Sequence, residues 1–124
     1  MAELSSPGFK ETFVASGDLN TSQFRFVRLV GPDVYLADSG YADGVLQNIP
    51  LNNEHAAIVV LGPTKIQLSN SLGANILVGC GSGGYAVNAS GGGVTSEGRK
   101  YGTLLVGGTS GAYGVMVFTQ VGTL

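Results

Sequence analysis

The sequence predicts an all-β protein, a small antiparallel β-barrel or sandwich built from hairpins, and three observations support this. Short segments alternate apolar and polar residues with the period of a strand. Turns containing glycine or proline separate these segments at near-regular spacing, and no segment carries the sustained apolar stripe of an amphipathic helix. The 21 glycines also disfavour long helices.

The first residues of the chain are predicted to lie outside this domain. Residues 1–12 form an extended arm and residues 13–124 a single β domain, a size at which a chain folds around one core. Ser5-Ser6-Pro7-Gly8 interrupts any regular element in the arm. Such an arm is either disordered or ordered by lying on another molecule.

A first hairpin is predicted over residues 23–38. In QFRFVRLV, Phe24 and Phe26 fall on one face of a strand, which we assign to the core, and the β-branched and aromatic residues favour that strand. Gly31-Pro32-Asp33 predicts the turn, and VYLAD runs back. After a small polar loop, GVLQNIP predicts a short strand ended by Pro50.

The next segment, HAAIVVLGPTKIQLS, predicts a second hairpin with Gly62-Pro63-Thr64 as its turn. LVGPDVYL and VLGPTKIQL read as two copies of one hairpin, which makes the hairpin the building unit of the fold. Residues 70–74 predict a single helical turn, and the strands ILVGC and YAVNA follow.

Between those two strands, Gly79, Gly81 and Gly84 fit the G-x-G-x-x-G spacing of a dinucleotide-binding loop. Such a loop needs a helix directly after it, because the helix N-terminus holds the pyrophosphate. Here YAVNA runs straight into Ser90-Gly91-Gly92-Gly93, which no helix tolerates. We therefore predict a glycine-rich hairpin loop with residues at positive φ, and no cofactor.

The last part of the sequence predicts a loop and a closing hairpin. Residues 90–100 are polar, rich in glycine and without periodicity. YGTLLVGG and AYGVMVFTQV then form the final hairpin around Thr109-Ser110-Gly111.

Composition narrows the classes of function. Charged residues make up 11% of the chain, with six basic and eight acidic residues. The basic residues are not arranged in a stripe, so nucleic-acid binding is not expected. We expect no membrane span and no signal peptide, because no apolar run is long enough and the N-terminus lacks basic and apolar blocks. So little charge leaves much uncharged surface, which favours a partner or self-assembly.

No catalytic or metal-binding pattern emerges from the reactive residues. His55, the single histidine, lies beside Glu54 and reads as a polar residue at a loop end. Cys80, the only cysteine, excludes an intrachain disulfide and has no basic neighbour to activate it. Asp38 and Asp43 flank one loop that offers too few oxygen ligands for calcium. We expect neither an enzyme nor a metal site, although a dispersed active site around His55 or Cys80 is the alternative.

Four tyrosines next to glycines are candidates for a subunit interface, because tyrosine can bury a large ring while its hydroxyl stays in contact with water. They are Tyr41, Tyr85, Tyr101 and Tyr113. Stacking on bases or sugars is the competing use of such rings.

In the order of its motifs, the chain resembles the small capsid decoration, or cement, proteins of tailed bacteriophages. The matching stretches are Gln23–Val30, Gly44–Pro50, Ala56–Leu68, Gly73–Val87 and Tyr101–Val121. GVLQNIP followed closely by an apolar hairpin is the most specific of them, and the long loop at 90–100 departs from the pattern.

This resemblance implies a structural role without catalysis or cofactor. Such proteins sit outside the expanded capsid, commonly as trimers at threefold positions, and clamp neighbouring subunits of the major capsid protein. The protein would be made in the host cytoplasm. Our candidate capsid contacts are Leu4, Pro7, Phe9 and Phe13. The alternative function is a virion module that binds a ligand or a host receptor.

Overall fold

The computed structural model describes residues 13–38, 41–89 and 100–119, which form two β-sheets. The first sheet holds β1 Phe13–Ala15, β2 Phe26–Val30, β3 Asp33–Leu36, β4 Gly44–Leu46, β5 His55–Ala56 and β6 Ile58–Val59. The second holds β7 Gly62–Gln67, β8 Ile76–Cys80, β9 Ala86–Asn88, β10 Gly102–Val106 and β11 Tyr113–Phe118. One 3-10 turn, Ser82–Gly84, lies between β8 and β9. The prediction of an all-β fold is confirmed.

The first sheet curls into a nearly closed barrel. Its strand order is β5-β1-β3-β2-β4-β6, and only Ala57 separates the two edge strands β5 and β6 in sequence. The edges therefore meet, which removes the exposed strand edges of an open sheet. Neighbouring strands are antiparallel except β1 and β3, which pair in parallel. The barrel interior holds Ala15, Leu19, Val27, Val34, Leu46 and Ala56.

The second sheet is a half-barrel that packs against the outside of the first. Its order is β7-β11-β10-β8-β9, all antiparallel, and a bridge between Leu68 and Ala86 links β9 back to the end of β7. Phe26 and Val45 belong to the first sheet, and their side chains point outward from its barrel toward the second sheet. With them are buried Ile66, Leu68, Val78, Cys80, Ala86, Tyr101, Leu104, Met116 and Phe118. Residues of both sheets therefore form this second cluster, which we call the shared core, whereas the barrel interior is a separate cluster.

Three of the predicted hairpins are present. β2 pairs with β3, β8 with β9 and β10 with β11, each antiparallel. The glycine-rich loop between β8 and β9 contains Gly83 at φ 75 and Gly84 at φ 83. A side chain at Gly84 would also come within 2.9 Å of the Phe26 carbonyl oxygen. The glycines thus shape a hairpin turn with residues at positive φ, as predicted, and the structure adds that this turn packs against the first sheet.

The predicted second hairpin is wrong. β6 pairs with β4 in the first sheet, whereas β7 pairs with β11 in the second. Gly62, at φ 105, is the point where the chain crosses from one sheet to the other. Gly62-Pro63-Thr64 therefore directs a crossover, because β7 has its hydrogen-bonding partner near the end of the chain.

Two further local predictions are corrected. Residues 70–74 contain no helical turn, and Leu72 instead forms an isolated bridge with Gly108. Phe24 does not share a strand face with Phe26, because it precedes β2 and has φ 64. Phe26 is buried in the core as predicted, but Phe24 is only half-buried.

Several predictions concern parts of the chain outside the described residues. These include the arm at 1–12 and most of the loop at 90–100. The division of the chain at residue 13 therefore stays a prediction. Within the described ranges, no helix is long and apolar enough to cross a membrane.

Candidate interaction surface

The outer side of the second sheet carries a continuous row of side chains across four strands. Pro63 of β7 pairs with Val117, which pairs with Thr103, which pairs with Leu77. A second row joins Lys65, Val115 and Val106. Alternate residues of β11 point inward and are buried, so these rows face away from the core. We call this surface the open face: Pro63, Lys65, Leu77, Thr103, Val106, Val115 and Val117.

The open face is apolar and largely uncharged. Leu77 is 38% exposed and Val106 54% exposed, and Lys65 is the one charged residue of the set. Contiguous exposed apolar surface of this kind is typical of the centre of a protein interface.

An aromatic and cationic group borders the open face, and we call it the Phe24 cluster: Phe24, Arg25, Lys65, Gln67, Tyr85 and Tyr113. The rings of Phe24 and Tyr113 meet edge to face at 5.5 Å between centroids. Lys65 Nζ lies 5.6 Å from the Phe24 centroid. The Gln67 N–H donates to the Phe24 carbonyl oxygen at 2.8 Å, which fixes the unusual backbone at Phe24 against β7.

Arg25 joins the rest of the cluster through its guanidinium group. Its Nε donates to Gln67 Oε1 at 3.1 Å, and its Nη2 donates to the Tyr85 hydroxyl at 2.6 Å. Gln67 Nε2 in turn donates to the Gly111 carbonyl oxygen at 3.0 Å. The side chains of the cluster are therefore positioned by bonds that run from the first sheet to the second.

The cluster carries two positive charges without a carboxylate partner among the described residues. Four described carboxylates instead accept backbone N–H bonds, Asp18 from Asn52, Asp38 from Gly83, Asp43 from Leu29 and Glu54 from Leu51. Asp33 of β3 is the fifth described carboxylate, and its side chain accepts no such bond in the described ranges. None of the five pairs with Arg25 or Lys65, so both cations are available to a partner.

A shallow hollow of about 220 Å³ borders the cluster at Tyr85. Its lining is Leu68, Ser69, Tyr85, Ser110 and Gly111. Ser110 Oγ donates to the Ser69 carbonyl oxygen at 3.0 Å, which fixes one wall. Hydroxyl groups beside an aromatic ring form a surface suited to a small polar ligand.

The four predicted interface tyrosines lie in different surroundings. Tyr41 and Tyr113 are exposed, at 42% and 50%, and Tyr85 is half-buried beneath Arg25. Tyr101 corrects the prediction, because it is 1% exposed and its ring stacks on Phe118 in the core. Its hydroxyl accepts the Ala42 N–H at 2.9 Å, so no partner can reach it.

Of the four predicted capsid contacts, only Phe13 lies within the described residues. Leu4, Pro7 and Phe9 lie outside them, and their role stays a prediction. Phe13 begins β1 and packs, half-buried, against the interior of the first barrel. Its ring therefore contributes to the barrel core.

The reactive residues are not brought together. His55 is exposed at the edge of the first barrel, while Cys80 is fully buried in the shared core. Within the described ranges, no group of three His, Cys, Asp or Glu side chains could hold a metal ion.

Sequence reasoning misses Phe24, Arg25 and Gln67 as members of a site. The strand-like alternation of its neighbours assigns Phe24 to the core. Arg25 and Gln67 lie 42 residues apart, and their contact follows from the pairing of the two sheets. The only sequence signal is a cation next to an aromatic residue in QFRFVRLV.

Comparison with known proteins gives a match of structure without a match of sequence. No family model and no curated protein matches the chain. The fold is similar to the crystal structure of the head fiber gp8.5 N base in bacteriophage phi29, with a TM-score of 0.69 and 12% sequence identity. The likeness covers 92% of this chain and 96% of that one. The two chains share one fold.

Proposed function

We propose that this protein is a structural component of a bacteriophage virion and lies on the outside of the head. The likeness to a phage head-fiber base carries the proposal, because it spans nearly the whole of both chains. The low content of charged residues and the apolar open face suit a protein that works by assembly. The proposed role is structural, without catalysis or a cofactor.

For its role on the head, we propose that the protein binds the expanded shell and bridges neighbouring subunits of the major capsid protein. A protein that binds the expanded lattice better than any opened form stabilises that lattice by mass action. We propose that it acts as a homotrimer, since several weak contacts made at once add up through avidity. Of the predicted interface tyrosines, Tyr41, Tyr85 and Tyr113 stay at least partly exposed and remain candidates for contacts between subunits, and Tyr41 is the one outside the Phe24 cluster.

Co-sedimentation with expanded capsids that lack the protein tests this proposal. Saturable binding of the full-length chain at a fixed ratio to the major capsid protein is expected. A full-length variant with Leu4→Ser and Phe9→Ser tests the arm, and weaker binding by this variant would place contacts there. Absence of saturable binding by the unaltered chain would reject attachment to the head.

A second candidate function is binding of a small polar ligand or a host receptor by a virion module. The hollow beside Tyr85 favours it, because hydroxyls and an aromatic ring line a space of about 220 Å³. A screen of purified protein against host cell-surface glycans tests this candidate. Binding that needs no capsid, and that Ser110→Ala together with Tyr85→Ala abolishes, would support it.

A further inference from the structure

We propose that the Phe24 cluster is the surface that docks onto the head, and that the segment it receives carries carboxylates. This inference rests on the proposed attachment to the head and adds the surface and the chemistry of the partner. Three properties of the cluster support it: its fixed geometry, its composition and its unbalanced charge.

The geometry of the cluster is fixed before any partner arrives. Arg25 is bonded to both Gln67 and Tyr85, and Phe24 packs edge to face on Tyr113. Side chains that are already ordered lose little conformational freedom when they bind. Tyrosine and arginine are also the residues that most often dominate the energy of protein interfaces.

The charge of the cluster specifies the partner. Arg25 and Lys65 have no carboxylate partner in the described ranges, and the bonds from Arg25 to Gln67 and Tyr85 leave further guanidinium donors free. A planar guanidinium suits a carboxylate, with which it forms two parallel hydrogen bonds. Electrostatic complementarity therefore favours a segment with acidic side chains.

A second copy of this chain is a poorer occupant than the head. In a two-fold contact between copies, the cluster would place cations opposite cations, which is repulsive, and in a trimer it would meet a different patch of the neighbouring copy. Of the five described carboxylates, Asp18, Asp38, Asp43 and Glu54 accept bonds from their own backbone, which leaves only Asp33, and one carboxylate does not balance the two cations of the cluster. A segment of another protein that carries several carboxylates can pair with both cations of the cluster.

The test compares two charge reversals in the full-length protein, Lys65→Glu and Arg28→Glu. Both residues are exposed on strands and both lie over an aromatic ring, Lys65 over Phe24 at 5.6 Å and Arg28 over Tyr41 at 5.1 Å. The two variants are therefore matched, because each reverses one charge and each removes one cation from the face of one ring. Affinity for expanded capsids is measured by co-sedimentation at low and high salt, and self-association by sedimentation velocity. Because Arg28 lies over Tyr41, a candidate for contacts between subunits, the affinities are compared at concentrations at which both variants have the same assembly state.

We expect Lys65→Glu to weaken capsid binding about tenfold or more at low salt, and Arg28→Glu to change it less than about twofold. The binding of Lys65→Glu should also depend less steeply on salt. Equal effects of the two variants would overturn the inference, as would a Lys65→Glu variant that binds normally or loses only self-association. Failure of the unaltered protein to bind capsids would instead reject the proposed function.

Discussion

The guanidinium carbon of Arg25 lies 4.2 Å from the centroid of the Tyr85 ring, while Nη2 of the same group donates to the Tyr85 hydroxyl at 2.6 Å. Arg25 directly precedes β2 of the first sheet, and Tyr85 directly precedes β9 of the second. One side-chain pair therefore connects the two sheets on the surface, above the core that they share.

Replacement of Tyr85 by Phe should destabilise the protein by about 1 kcal/mol, because the hydroxyl that accepts from Arg25 is removed while the ring remains. The free energy of unfolding by urea measures the effect. Tyr113→Phe is the matched control, since no hydrogen bond of its hydroxyl is present in the described ranges, and it should change stability by less than about 0.5 kcal/mol. Equal losses of stability in the two variants would contradict this account of the Arg25–Tyr85 pair.

Tyr101→Phe should cost about 1–3 kcal/mol, more than Tyr85→Phe, because it leaves the buried Ala42 N–H without its acceptor. Tyr35→Phe, at a residue that is 41% exposed, removes the same atom at the surface and should be nearly neutral. Thermal unfolding followed by circular dichroism compares the two. A neutral Tyr101→Phe variant would show that Ala42 finds another acceptor.

Gly102→Ala should destabilise the fold by about 3 kcal/mol or prevent folding, since overpacking at a rigid site is costly. A Cβ at this residue would overlap the Val117 carbonyl oxygen of the neighbouring strand, which cannot move without breaking the pairing of β10 with β11. Gly73→Ala is the control, because a Cβ there meets nothing within 4 Å. Soluble yield and the midpoint of urea unfolding are the measurements, and similar midpoints for both variants would refute the prediction.

The thiol of Cys80 should not react with a thiol reagent in the folded protein, since it is fully buried between the sheets. In denaturant the same reagent should detect one thiol per chain, because the sequence has one cysteine. Fast modification under native conditions would mean that the second sheet opens locally near β8.

The local parts of the fold could be predicted from the sequence. The alternation in QFRFVRLV and the turn at Gly31-Pro32 specify β2 and β3, and the glycines after Cys80 specify the return into β9. In each case the two paired strands are neighbours in sequence, so turn chemistry and periodicity contain the information.

The remaining features depend on pairings between distant residues. VLGPTKIQL looks like LVGPDVYL, yet β7 pairs with β11 because Tyr113–Phe118 supplies a partner that local sequence does not reveal. Tyr101 has the local sequence of an exposed tyrosine beside a glycine, and only the shared core shows that it is buried. The Phe24 cluster likewise exists only once both sheets are in place.

The order of the strands along the chain has a consequence for synthesis on the ribosome. In the part of the chain that the structure describes, the strands of the first sheet lie between Phe13 and Val59, and those of the second lie between Gly62 and Phe118. Because translation delivers the N-terminal half first, the first barrel can pair completely while the second half is still being made. During that interval Phe26 and Val45 face solvent, because the second sheet does not yet cover them. The growing chain therefore exposes an apolar surface that can associate with another nascent chain until its own second half packs onto it.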